Sequence, residues 1–166
     1  MNTFLDEKLC HDYPDIFVDR RADMRTTAMC WGFECGDGWY KIIDGLCKKL
    51  TLIHKLTGIA TVATQVKEKY GTLRFNHMSQ TGDTALSDAE QKVAHDIIHE
   101  ITDYADSQSS ITCEACGEYG RTTGYMWLTT LCENHWREKN PDAPAEQYYW
   151  THADYERAIE DAKESE

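Results

Sequence analysis

The plainest pattern along the chain is the apolar spacing Trp39, Ile42, Ile43, Leu46, Leu50, Ile53 and Leu56, with Lys41, Asp44, Lys48 and Lys55 on the other side. Steps of three and four put such residues on one face of a helix. Asp37 suits the N-cap and Gly58 the stop, so a helix is expected over residues 39–56. The period then changes to two. "IATVATQVKEKYGTLRFNHM" alternates and is rich in β-branched and aromatic residues, which predicts a β-hairpin. "YGT" supplies its turn. Val62, Thr64, Val66, Glu68 and Tyr70 are expected on one face of the first strand, Lys67 and Lys69 on the other. Leu73 and Phe75 share a face of the return strand.

"MSQTGDTAL" reads as a loop. Ser87 and Glu90 then form a capping box, in which the two side chains satisfy two free backbone N–H groups at a helix start. Val93, Ala94, Ile97, Ile98, Ile101, Tyr104 and Ala105 make the apolar stripe of that helix, expected over 87–107. Residues 1–36 are irregular, apart from a short helix over 2–10 that "DYPDIF" ends. A mostly polar helix is expected over 152–163, before a frayed acidic end, "IEDAKESE". These elements predict one α+β domain over 1–140, with two main helices packed on a small antiparallel sheet. A metal module occupies 111–140, and 141–166 form a helical, acidic tail. The length, 166 residues, suits one domain of the usual ~100–200.

The stretch "TCEACGEYGRTTGYMWLTTLCENHW" carries the strongest chemistry. Cys113 and Cys116 form C-x2-C, Cys132 and His135 form C-x2-H, and 15 residues lie between the pairs. Two-residue gaps let each pair bite one cation from a tight turn, and three thiolates with one imidazole suit a single tetrahedral Zn2+. Gly117 permits the left-handed backbone of such a knuckle. Knuckle, short hairpin and a helix whose first turn holds two ligands predict a treble-clef-like module. All four positions are protein donors, so the zinc is expected to be structural, adding folding energy without catalysing a reaction.

Charge narrows the function. The net charge is -12, spread unevenly: residues 1–82 hold 11 basic and 10 acidic side chains, residues 83–166 hold 6 and 19. The module is itself slightly acidic, which argues against nucleic acid, whose binding is driven by lysine and arginine. The basic residues gather between 41 and 74. Within them, Lys67, Lys69 and Arg74, with Tyr70 beside them, are the candidate binding group for a carboxylate, a phosphate or an acidic protein surface. Cys30 and Cys35, with Cys10, His11 or Cys47, offer an unhelpful spacing for a second metal and read better as buried thiols. His95, His99 and Asp103 read as a solvated helix face. No nucleophile motif, P-loop or dinucleotide fingerprint occurs. No apolar leader or run of about 18 apolar residues occurs either. The seven cysteines are therefore expected as thiols and ligands in a reducing cytoplasm.

Three segments, "GDGWYKIIDGLCKKL", "QVKEKYGTLRF" and "TCEACGEYG" with "LCENH", resemble small, poorly characterised proteins encoded by bacteriophages and bacterial prophages. The resemblance spans residues 31–135 and leaves out the tail after Asn140. It implies a zinc ion on Cys113, Cys116, Cys132 and His135, and residence in the cytoplasm of an infected or lysogenic bacterium. It implies no activity. The expectation is a non-enzymatic, zinc-stabilised accessory protein that binds a host or phage protein, as an inhibitor or a nucleic-acid mimic. The alternative is a protein that binds or sequesters a small anion such as a nucleotide.

Overall fold

The computed structural model describes residues 1–82 and 84–164, so Asp83 in the expected loop and the end of the acidic tail at 165–166 lie outside the described residues. The chain is α+β. In order it forms α1 (Thr3–Asp12), β1 (Phe33–Glu34), α2 (Tyr40–Thr57), β2 (Ile59–Lys69), β3 (Thr72–Thr81), α3 (Asp88–Ser109), β4 (Arg121–Thr123), β5 (Thr129–Leu131), α4 (Glu133–Lys139) and α5 (His152–Glu164). The two main helices fall where the spacing puts them. Gly58 ends α2 in the left-handed conformation (φ 75°), its N–H reaching the His54 carbonyl. Both bonds of the Ser87–Glu90 capping box are present.

The main sheet has the order β1-β2-β3 and is mixed, not antiparallel as expected. β2 and β3 form the hairpin, but β1 lies parallel to β2, with Phe33 opposite Val66. A two-residue strand is too short for an alternating pattern to reveal. The hairpin turns on Tyr70 (φ 56°) and Gly71 (φ 78°), both left-handed, the two-residue geometry whose twist matches paired strands. Tyrosine tolerates that conformation at a cost on the order of 1 kcal/mol. A Cβ on Gly71 would also meet the Thr122 methyl at 2.7 Å.

The facing of β2 needs a correction. Ile59, Thr61, Ala63 and Val66 are buried, while Val62 and Thr64 are only partly covered. Ala63 lies opposite His77 and Gln65 opposite Asn76, so Thr64 is an extra residue. This bulge moves the buried face from odd to even positions, which a strict alternation cannot anticipate.

α2 packs over β2, α3 over β3, and the helices pack on each other. Leu9, Trp39, Ile43, Leu50, Ile59, Val66, Leu73 and Ile98 are sealed from solvent. The segment expected to be irregular supplies much of this core. Leu9, Tyr13, Ile16, Phe17, Met29 and Phe33 are all buried, and the Phe17 ring meets Phe33 edge-on at 4.9 Å.

Candidate metal centre

The knuckle begins where α3 ends. The Cys113 carbonyl accepts from Gly117 N–H at 2.8 Å, and Gly117 takes φ 80°. Cys113 N–H returns to the Glu118 carbonyl and Glu114 N–H to the Thr130 carbonyl, at 2.8 and 2.9 Å. These bonds seat the knuckle against β5. Cys132 is the N-cap residue of α4, and His135 stands in its first turn. Strand, cap and helix thus deliver the second pair to the first.

The four side chains converge. One ligand atom from each of Cys113, Cys116, Cys132 and His135 lies within 4.8 Å of all the others. His135 Nδ1 is 3.6 Å from Cys113 Sγ and 3.1 Å from Cys132 Sγ; Cys116 Sγ is 3.9 Å from Cys132 Sγ. A tetrahedral cation with bonds of about 2.0–2.3 Å separates its donors by roughly 3.3–3.8 Å. The quartet fits such an ion and could hold one. Burial opposes ionisation of Cys113, but the N–H groups of Cys132, Cys116 and Ala115 outweigh it and bring that thiol down to about 7. Burial and the two neighbouring thiols push Cys116 up to about 11. Three thiols this close favour a bound cation, which removes their protons and their mutual repulsion.

The module is wired to the main core. Trp39 Nε1–H donates to the Thr112 carbonyl at 2.8 Å, and Gly38 N–H to the Glu114 carbonyl at 2.8 Å. The Glu114 carboxylate accepts from Gly36 N–H, and burial raises its pKa. A Cβ on Gly38 would stand 2.1 Å from the Cys113 carbonyl oxygen, so the two backbones touch there. On the far side Tyr148 is buried against Trp136, its hydroxyl donating to the Leu131 carbonyl at 2.9 Å. Arg121 lies over the Tyr148 and Tyr149 rings.

The candidate binding group is only partly assembled. Lys67 lies opposite Arg74 in the hairpin. Arg74, however, donates to Thr72 Oγ1 and to the Asp106 carboxylate of α3. Lys69 reaches over the Tyr70 ring, 5.2 Å from its centre. Beside them is a feature the alternation did not flag. Tyr70, Met126 and Trp127 are 67%, 91% and 79% exposed and share a cleft of about 270 Å³ with Glu68, Lys69 and Leu128. Two large apolar residues following Gly124 in a hairpin turn were the available signal.

Of the other cysteines, Cys35 and Cys47 are buried, whereas Cys10 and Cys30 are only partly covered. Burial pushes Cys10 up to about 11 and Cys35 up to about 12. Among the described residues, the quartet is the group of three or more metal-ligating side chains brought together. His99 and Asp103 are exposed, as a solvated face requires; the His99 ring also lies 5.6 Å from that of His77, whose pKa is lowered by burial and then by His99. A cavity of about 580 Å³ lies beside α1 and is walled in part by Arg20, which grips both Asp6 carboxylate oxygens. Among the described residues no helix is long and apolar enough to cross a membrane. Comparison with known proteins finds no family model, no curated protein and no solved structure that matches the chain significantly.

Proposed function

We propose that the chain is a non-enzymatic interaction protein in which one structural zinc ion holds a treble-clef-like module in place. Its task is to present the Met126–Trp127 loop next to Tyr70. The supporting observation is that these three side chains stand exposed around one cleft at the meeting point of two hairpins. Tryptophan, tyrosine and methionine are enriched at protein–protein interfaces, tryptophan and tyrosine especially at their energetic centres, and none of the three is needed to fill either core. A structural metal suits this task, because a loop that small cannot bury enough surface to hold its own shape. The partner is a protein of the host or of the phage that encodes the chain. The strongly acidic second half suits an inhibitor that imitates a nucleic-acid surface. The anionic-ligand alternative is the weaker reading, since Arg74 is already satisfied by Asp106.

Native mass spectrometry of the gently isolated protein should show one zinc per chain and no small-molecule adduct. A partner that co-purifies with the wild type should be lost on Trp127→Ala and on Tyr70→Ala, with zinc retained. A partner held equally well by both variants would overturn the site, and an adduct of a few hundred daltons would favour the anionic-ligand reading.

A further inference from the structure

The sequence stripes on α2 and α3 are wider than the core they serve. Ile43, Leu46, Cys47 and Leu50 are buried on α2, and Ala94, Ile98 and Ala105 on α3. Yet Leu52, Leu56, Val93, Ile97 and Tyr104, from the same helices, are between 46% and 73% exposed. These five are not scattered. The helices run antiparallel: the start of α2 meets the end of α3 through Trp39 and Thr112, and the end of α2 meets the approach to α3 through Thr57 and Thr84. Lys49 Nζ lies over the Tyr104 ring at 5.0 Å. From that contact, Leu52 and Leu56 follow forward along α2 at helical spacing, while Ile97 and Val93 follow backward along α3. Helical spacing therefore places the five on the outward side of the helix pair, where Lys49 and Tyr104 meet across the seam.

A second observation lies in the same seam. Gly45 is in the middle of α2, where glycine costs helix stability relative to alanine. No contact within the chain requires it, since a Cβ there would meet nothing within 4 Å. It borders a hollow of about 240 Å³ with a mixed wall, apolar at Ile42, Leu46 and Tyr104 and charged at Lys41 and Lys49. A bare backbone beside such a hollow is what a partner side chain or helix needs for close approach.

Charge selects the partner. α2 carries four lysines against one aspartate, whereas α3 carries six carboxylates against one lysine. Among the described residues, Lys41 and Lys55 on α2 and Glu100 and Asp103 on α3 have no ion-pair partner. We propose that this seam is a two-fold interface between two copies of the chain, with α2 of each copy lying against α3 of the other. A two-fold axis running along the seam produces that pairing and sets basic helix on acidic helix at both contacts. An axis across the seam would set like on like. Helices of 18 and 22 residues offer a footprint on the order of 30 by 20 Å, comparable to the ~800 Å² per partner of a standard interface. The interface uses none of Tyr70, Met126 or Trp127, so it stands apart from the proposed partner site and would present two such sites per assembly.

The test is sedimentation velocity of the full, metal-loaded chain over a range of concentrations. The wild type should sediment with twice the mass of one chain. Leu52→Glu combined with Ile97→Glu should sediment as a monomer with unchanged helical circular dichroism and metal content, because both side chains are already exposed. Trp127→Ala should remain dimeric, which separates this interface from the partner site. Lys41→Glu with Lys55→Glu, and separately Glu100→Lys with Asp103→Lys, should each weaken the dimer, and mixing the two variants should restore it. A wild type that stays monomeric at high concentration would overturn the proposal and assign these side chains to a different partner. A dimer that survives Leu52→Glu with Ile97→Glu would overturn it as well. Failure of the charge variants to pair on mixing would overturn the basic-on-acidic arrangement.

Discussion

Among the described residues, the main core draws on twenty buried side chains from α1 through α3, whereas the metal module has a cluster of four: Cys113, Leu131, Trp136 and Tyr148. The larger region closes by apolar contact between elements far apart in sequence. The smaller one consists of a knuckle, two three-residue strands and a seven-residue helix. Burial of that extent does not offset the entropy of ordering so many turns. A cation held by the four side chains would supply the difference. The contrast also explains where the exposed side chains lie. A region that closes around a metal need not bury its own Met126 and Trp127, and is free to display them.

Removal of the metal should have the largest effect and is the sharpest way to break this comparison. A chelator, or Cys113→Ser, should abolish hydrogen-exchange protection from about residue 112 to 148 while α2, α3 and the β2–β3 hairpin keep theirs. The loss is several kcal/mol within the module, given that structural zinc contributes about 10–16 kcal/mol of binding energy in small zinc peptides. Equal loss of protection in both regions would make them one cooperative unit. Next comes Leu9→Ala, which removes a sealed side chain of α1. Denaturant unfolding should show a loss of about 2–5 kcal/mol with metal content unchanged. A cost no larger than that of an exposed leucine would show that the N-terminal segment merely covers the core.

Gly38→Ala probes the junction. Its Cβ would press on the Cys113 carbonyl oxygen, and overpacking of this kind costs about 1–3 kcal/mol. The variant should both lower the denaturation midpoint and weaken metal retention in a chelator competition. A change in only one would show that the regions are less coupled than the shared bonds suggest. The smallest effect concerns His77. Folding holds it below its ordinary 6.5, by burial first and then through His99, so the folded chain favours the neutral ring. Its contribution is complete above pH 6.5 and is lost as the pH falls through the depressed value. His77→Gln should flatten that part of the stability profile, read as denaturation midpoints above and below pH 6.5. An unchanged slope would assign the acid sensitivity to the module instead.

Much of this architecture is visible in local pattern. The helices announce themselves by spacing, α3 by its capping box, and the hairpin by its change of period and its Tyr70–Gly71 turn. The quartet is visible because two-residue gaps place ligands within reach of one ion whatever the rest of the chain does. The N-terminal segment was not legible as core: Leu9, Ile16, Phe17 and Phe33 follow no single period, because they lie on a helix, a turn and a short strand. Their burial depends on what they meet.

By itself, then, the sequence determined whatever depends on neighbours a few residues apart: helix faces, caps, the tight turn and the ligand spacing. Tertiary structure alone decided that β1 runs parallel to β2, that the bulge at Thr64 reverses a strand's facing, and that Asp106 takes Arg74 out of the basic group. It also decided that Tyr70 and Trp127 share one cleft, and that Leu52 and Leu56 of α2 and Val93, Ile97 and Tyr104 of α3 stay exposed. Each of these joins residues more than ten positions apart, or depends on such a pairing. Contacts at that range are chosen by the closure of the whole core, not by the backbone preferences of any one segment.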